Sequence, residues 1–211
     1  MLEELDHNDL DSDVIYSHSV LEFVTVANEL CKLVEHVSSL TKRDFIDKSH
    51  KLLAFVYLKA SMLPNFENVY EGSAEKFVAE HDWEWIRAAV ENKLVTHNKF
   101  VDISDPIYPE SDNVTSLSLA ECFADIYQDL KDFTTAYNVG TLESMNDSLW
   151  ECKESFQNYW GERLLAVSRE FHLINYGVAD LADEMPTNRE VDSFQPDNWF
   201  TKEILSGDTD E

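Results

Sequence analysis

The chain has 211 residues, 44% of them hydrophobic and 12% aromatic, with five Gly and five Pro. That is the composition of one folded helical domain carrying a tail, and it excludes a disordered chain. Forty-two acids against 16 bases give a formal charge of −26, which makes duplex nucleic acid and anionic membrane poor partners, because affinity there comes from Lys and Arg meeting phosphates. A basic protein, a cation or plain solvation of the surface all remain compatible with that charge.

Residues 1–12 are acidic and lack the basic-then-apolar order of a signal peptide, so they are read as a flexible end. No run approaches the ~18 apolar residues of a membrane span, and the expected location is the cytoplasm. Cys31, Cys122 and Cys152 all fall on apolar helix faces. An odd count so placed predicts buried, reduced thiols in a reducing compartment.

The helical domain is expected over 13–179. A first helix from Asp13 to Ser38 follows from Val20, Phe23, Val24, Ala27, Leu30, Cys31, Val34 and Val37, which recur three and four apart. Thr41 with Asp44 imitates a capping box for a second helix, which buries Phe45, Leu52, Leu53, Val56, Tyr57, Ala60 and Leu63 and stops at Pro64. The stretch 64–79 is irregular. A third helix over 80–95 carries Trp83, Ile86, Val90 and Leu94 on one side, with Trp85 off that stripe. The stretch 97–114, with Pro106 and Pro109, reads as a loop, and no strand longer than Phe77-Val78 is expected.

The best-organised part is a helical hairpin. Ser118 and Glu121 form a capping box, and Leu119, Cys122, Phe123, Ile126, Leu130, Phe133 and Tyr137 form the core stripe of the fourth helix. Gly140 is expected as a left-handed stop and Thr141 as the cap of a fifth helix. That helix, buried through Met145, Leu149, Cys152, Phe156, Trp160, Val167 and Phe171, would run about 45 Å unbroken. Gly161 in its interior predicts a close crossing or a mild kink, at about 1 kcal/mol relative to Ala. The tail, 180–211, is acidic and partly flexible, with Trp199, Phe200, Ile204 and Leu205 available for one short docked helix. The fold class is all-α: a single-domain antiparallel bundle of about five main helices.

The runs Phe23-Val24-Thr25-Val26-Ala27-Asn28-Glu29-Leu30-Cys31 and Val56-Tyr57-Leu58-Lys59-Ala60-Ser61-Met62-Leu63-Pro64 carry a resemblance. So do Ser118-Leu119-Ala120, Asp125-Ile126-Tyr127-Gln128-Asp129-Leu130-Lys131 and the pair Trp160-Gly161. Together they resemble a bacterial family of helical proteins of about 200 residues that is catalogued only as a domain of unknown function. The match covers most of 20–175. It implies a compact helical fold, a bacterial source and an uncharacterised role, and it supplies no catalytic residues. The family pattern has histidines flanking the Trp-Gly pair, where this chain has Tyr159 and Arg163.

Three readings of the function stand side by side. Glu121, Asp125, Asp129 and Asp132 line one face of the fourth helix, and counting from Gly140 sets Asp129 and Asp132 opposite Glu151 and Glu154. Asp125, Asp129, Glu151 and Glu154 would be the catalytic set of a Mg²⁺-dependent, all-helical nucleotide pyrophosphohydrolase-like enzyme, with Asp129, Asp132, Glu151 and Glu154 as metal ligands. Helical angles count against it, because they turn Asp132 and Glu151 towards solvent and leave only Asp129 near the buried edge. No Gly-rich phosphate loop, Cys-x-x-Cys or Gly-x-Ser-x-Gly is present, and no cofactor is implied. The reading preferred is a non-catalytic soluble interaction or adaptor protein whose acidic surface meets a basic partner, with Trp85, Trp150 and Trp199 as interface candidates. The third is an acidic mimic of nucleic acid that occupies a basic protein's cleft.

Overall fold

A computed structural model describes residues 12–69, 75–102, 115–177 and 181. The N-terminal end, the proline-bearing part of the 97–114 loop and the tail with Trp199 lie outside these residues. The elements in order are α1 Ser12–Ile15, α2 His18–Glu35, α3 Lys42–Ser61, α4 Glu80–Leu94, β1 Lys99–Asp102, β2 Thr115–Ser118, α5 Leu119–Val139, α6 Leu142–Ser155 and α7 Gly161–Tyr176. Among the described residues the fold is all-α apart from one two-stranded ladder.

Apolar periodicity puts α5 at the centre. It packs against α2, α4, α6 and α7, while α3 closes the bundle against α2 and α7. Phe45, Phe123 and Phe171 from α3, α5 and α7 meet with ring centroids 5.4 to 6.1 Å apart, all fully buried. Each contributes about 2–3 kcal/mol of burial. The expected stripe of α2 is buried throughout, from Val20 to Val34. Cys31, Cys122 and Cys152 are buried free thiols, as their helix faces require, and burial pushes the Cys31 and Cys152 thiols well above the ordinary range. Among the described residues no helix is long and apolar enough to cross a membrane.

Four local expectations are corrected. The first helix is broken: Ser17 is extended (φ −62°, ψ 154°) and separates α1 from α2. The loop expected over 97–114 carries an antiparallel ladder, with Lys99 opposite Ser118 and Asp102 opposite Thr115. Period-two patterning is too short there to register in sequence. The ladder is fixed from outside, by burial of Phe100 and by Asn98, whose side chain donates to Ser118 Oγ and accepts the Ala120 amide at 2.9 Å. Gly140 is not left-handed, its φ being −81°. Its lack of a side chain matters for space, since a Cβ would stand 2.6 Å from the Ala136 carbonyl and 2.7 Å from Ser144 Oγ. The fifth helix is not continuous. Residues Phe156–Trp160 form one π-helical turn between α6 and α7.

The capping logic is otherwise as expected. Thr41 accepts from the Asp44 amide, Ser118 from Glu121 and Thr141 from Ser144.

Candidate functional site

The irregular segment on either side of 70–74 lies over α5 and α6, and its backbone polar groups are satisfied by side chains rather than by secondary structure. Lys153 Nζ donates to the carbonyls of Leu63 (3.0 Å) and Pro64 (2.8 Å) and to Asn65 Oδ1. Asn146 donates to the Glu67 carbonyl, and Asp147 accepts the Val69 amide at 2.9 Å. Asp132 Oδ1 accepts the amides of both Phe77 (2.7 Å) and Val78 (2.8 Å).

This explains the fate of the sequence-derived metal set. Asp132 does not face solvent: it is 4% exposed, because the strip 75–79 covers the side of α5 that a two-helix count leaves open. The turn count does bring Asp129, Asp132 and Glu151 to one place. They share a cavity of about 10 Å³, room for a single water, with Lys76, Ser148 and Cys152. Glu154 is exposed and is not among the residues lining it.

Lys76 decides the chemistry of this cluster. Its Nζ lies 2.5 Å from Glu151 Oε1 and 4.0 Å from Asp132 Oδ2. Burial alone would lower its pKa, but the bond to Glu151 and the neighbouring carboxylates raise it on balance, so the ammonium is held charged. Asp129 Oδ2 accepts from Ser155 Oγ at 2.9 Å. Burial raises the pKa of Asp129 and of Asp132, against the pull of their hydrogen bonds and of Lys76. A Mg²⁺ ion needs several free oxygens in octahedral array. Here Glu151 Oε1 meets an ammonium, Asp129 Oδ2 a hydroxyl and Asp132 Oδ1 two amides. Asp132 Oδ2, buried without a hydrogen bond, stands 4.0 Å from the Lys76 ammonium, so the cluster does not offer the ion an octahedral set. Among the described residues no group of three or more His, Cys, Asp or Glu is placed to hold a metal.

Asp125 belongs to a separate centre. It accepts Trp83 Nε1 from α4 (3.0 Å), Tyr159 OH from the π turn (3.0 Å) and Arg163 Nε from α7 (2.8 Å). The guanidinium lies over the Tyr159 ring, 3.8 Å from its centroid. The π turn and α7 bring residues 159 and 163 to the same carboxylate. Sequence reasoning named both residues without seeing this convergence, and the only available signal was their spacing of four across Trp160-Gly161. Beside them opens a cleft of about 310 Å³, lined by Leu117, Cys122 and Ala166 below and by Glu121, Asp125, Glu162 and Arg163 at the rim.

Of the interface candidates, Trp85 is half-buried and packed against the core from α4, and Trp150 is half-buried on α6. They stand on separate elements. Trp199 lies outside the described residues.

Fold and site together define an all-helical domain whose inward carboxylates tie elements to one another. Residues 14–177 match the family model described as "Domain of unknown function (DUF5063)", and the chain belongs to that family. It is similar to the crystal structure of protein BF1032 from Bacteroides fragilis, at 37% identity and a TM-score of 0.70, over 77% of this chain and 96% of that one. A comparison with curated proteins gave no match.

Proposed function

We propose that this protein is a non-catalytic interaction protein of the bacterial cytoplasm, whose acidic surface binds a basic protein. One observation carries the reading. Four of the five carboxylates that a metal-dependent reaction would use are held by donors of the chain itself: Asp125 by Trp83, Tyr159 and Arg163, Asp129 by Ser155, Asp132 through Oδ1 by backbone amides and Glu151 by Lys76. The fifth, Glu154, lies exposed outside the cluster. The excess of negative charge therefore lies in other acids. Glu121 and Glu162, exposed at the rim of the 310 Å³ cleft, are the ones we assign to a cationic side chain of the partner. Such rim charges steer association and make it sensitive to salt.

The test is capture of partners from the native cell by the tagged full chain, washed at low and then at high salt, alongside the Glu121→Lys/Glu162→Lys variant. A basic protein released by salt and not retained by the variant is the expected result. Failure to retain any such protein, together with a rise in melting temperature on adding Mg²⁺ that Asp129→Asn abolishes, would replace this reading with the enzymatic one.

A further inference from the structure

The outer face of α3 is incomplete. Phe55, Leu58 and Met62 recur three and four apart and are 55%, 49% and 54% exposed. Towards the N-terminus the same stripe continues through Lys51, four residues before Phe55, and Lys48, three residues before that. There it forms one wall of an open groove of about 480 Å³ against α2, lined by Leu33, Leu40 and Leu52 and by Lys32, Lys48 and Lys51. Glu29 lies in the same groove and pairs with Lys32, and Lys51 pairs with Asp47. Lys48 makes no ion pair with another described residue. An apolar stripe bearing a lysine without an ion pair among the described residues is out of character for a chain of charge −26.

We propose that this stripe is the docking site of the chain's own C-terminal segment 197–205, Asp-Asn-Trp-Phe-Thr-Lys-Glu-Ile-Leu. Trp199, Phe200 and Ile204 would cover Leu52, Phe55 and Leu58, with Asp197 and Glu203 against Lys48 and Lys51. Three observations select this occupant. The chain leaves α7 beside the stripe: the Tyr176 and His172 rings lie 6.0 and 5.8 Å from that of His50, the residue before Lys51. The connection is long enough, since the residues between Leu181 and Asp197 reach about 50 Å when extended. The charges are complementary, because 182–211 holds nine acids and two bases around its one apolar run. A second copy of the chain is a poorer occupant. A two-fold contact through this stripe brings together two molecules of high negative charge. This inference does not depend on the basic partner proposed above.

The test uses the full chain. Hydrogen exchange read by mass spectrometry is expected to show 197–205 exchanging at least about tenfold more slowly than 206–211. Leu58→Asp, a change at an exposed position, should abolish the difference while leaving exchange in α5 unchanged. Zero-length carbodiimide cross-linking of mixed ¹⁴N and ¹⁵N protein should join Lys48 or Lys51 to Asp197 or Glu203 within one isotope. Equal exchange of the two tail segments overturns the proposal. Protection that survives Leu58→Asp overturns it by placing the tail elsewhere, and cross-links of mixed isotope overturn it in favour of a second copy.

Discussion

Asp132 holds Val78 from 54 residues away: its Oδ1 accepts the Val78 amide at 2.8 Å, beside that of Phe77. A carboxylate on the central helix thus takes the place of a secondary-structure partner for an irregular stretch of chain whose one buried residue is Val78. The same economy recurs with Asp147 at Val69, Asn146 at Glu67 and Lys153 at Leu63 and Pro64. Asp132 of α5 and Asn146, Asp147 and Lys153 of α6 are therefore the fastenings of the described chain around 63–69 and 77–78.

Replacing Asp132 by Ala strands the buried Val78 amide and the part-buried Phe77 amide and should cost about 2–4 kcal/mol. Asp132→Asn keeps an acceptor oxygen and should cost clearly less. Urea denaturation of the two variants gives the comparison, and equal losses would show that the charge rather than the acceptor matters.

The raised pKa values of Asp129 and Asp132 fix a pH dependence. A carboxyl whose folded pKa lies above its unfolded value of about 3.9 binds more protons in the native state. Stability then rises as pH falls from neutrality through the raised value and levels off below the unfolded one. Asp129→Asn/Asp132→Asn should flatten this rise, read as the change in urea midpoint between pH 7 and about pH 4.5.

Asp125→Ala leaves the Trp83 indole, the Tyr159 hydroxyl and the Arg163 guanidinium without their common acceptor, and should cost about 1–3 kcal/mol. Tyr159→Phe, at a position 41% exposed, should cost under about 1 kcal/mol. Thermal melts of both variants test whether this centre ties α4, α5 and α7 together.

Gly161→Ala would stabilise an ordinary helix interior by about 1 kcal/mol. Here a Cβ would stand 2.3 Å from the Phe156 carbonyl and 2.8 Å from its ring. The substitution should therefore destabilise by about 2 kcal/mol or more, as the π turn shifts to make room. Chemical denaturation decides the sign.

Val95 adopts φ 51° and ψ −111° where α4 ends, a region that a β-branched residue enters only under strain. It is 43% exposed, so Val95→Gly gives up little burial and should stabilise by about 1 kcal/mol, once relief of strain is set against the entropy of glycine. A melting temperature raised by about 2–4 °C is the expected reading.

The helices, their caps and most buried faces were legible because each depends on residues within a few turns. The stripe of α2, Thr41 and Ser118 as caps, and the thiol-lined core faces all follow from local periodicity. The level of Asp129 against Glu151 was legible too, since it needs only the hairpin turn and a rise per residue. What the acids do there was not. The direction of Asp132 depends on a strip of chain from 75–79 that has no periodicity of its own. Asp125 gathers partners from α4, the π turn and α7, and the ladder of β1 and β2 is held by Asn98 from outside. By itself the sequence determined an all-helical domain built on the hairpin of α5 and α6. Only the tertiary structure decided which acids become internal anchors and which remain at the surface, because burial and hydrogen bonding by distant segments set a carboxylate's environment, and local spacing carries no record of them.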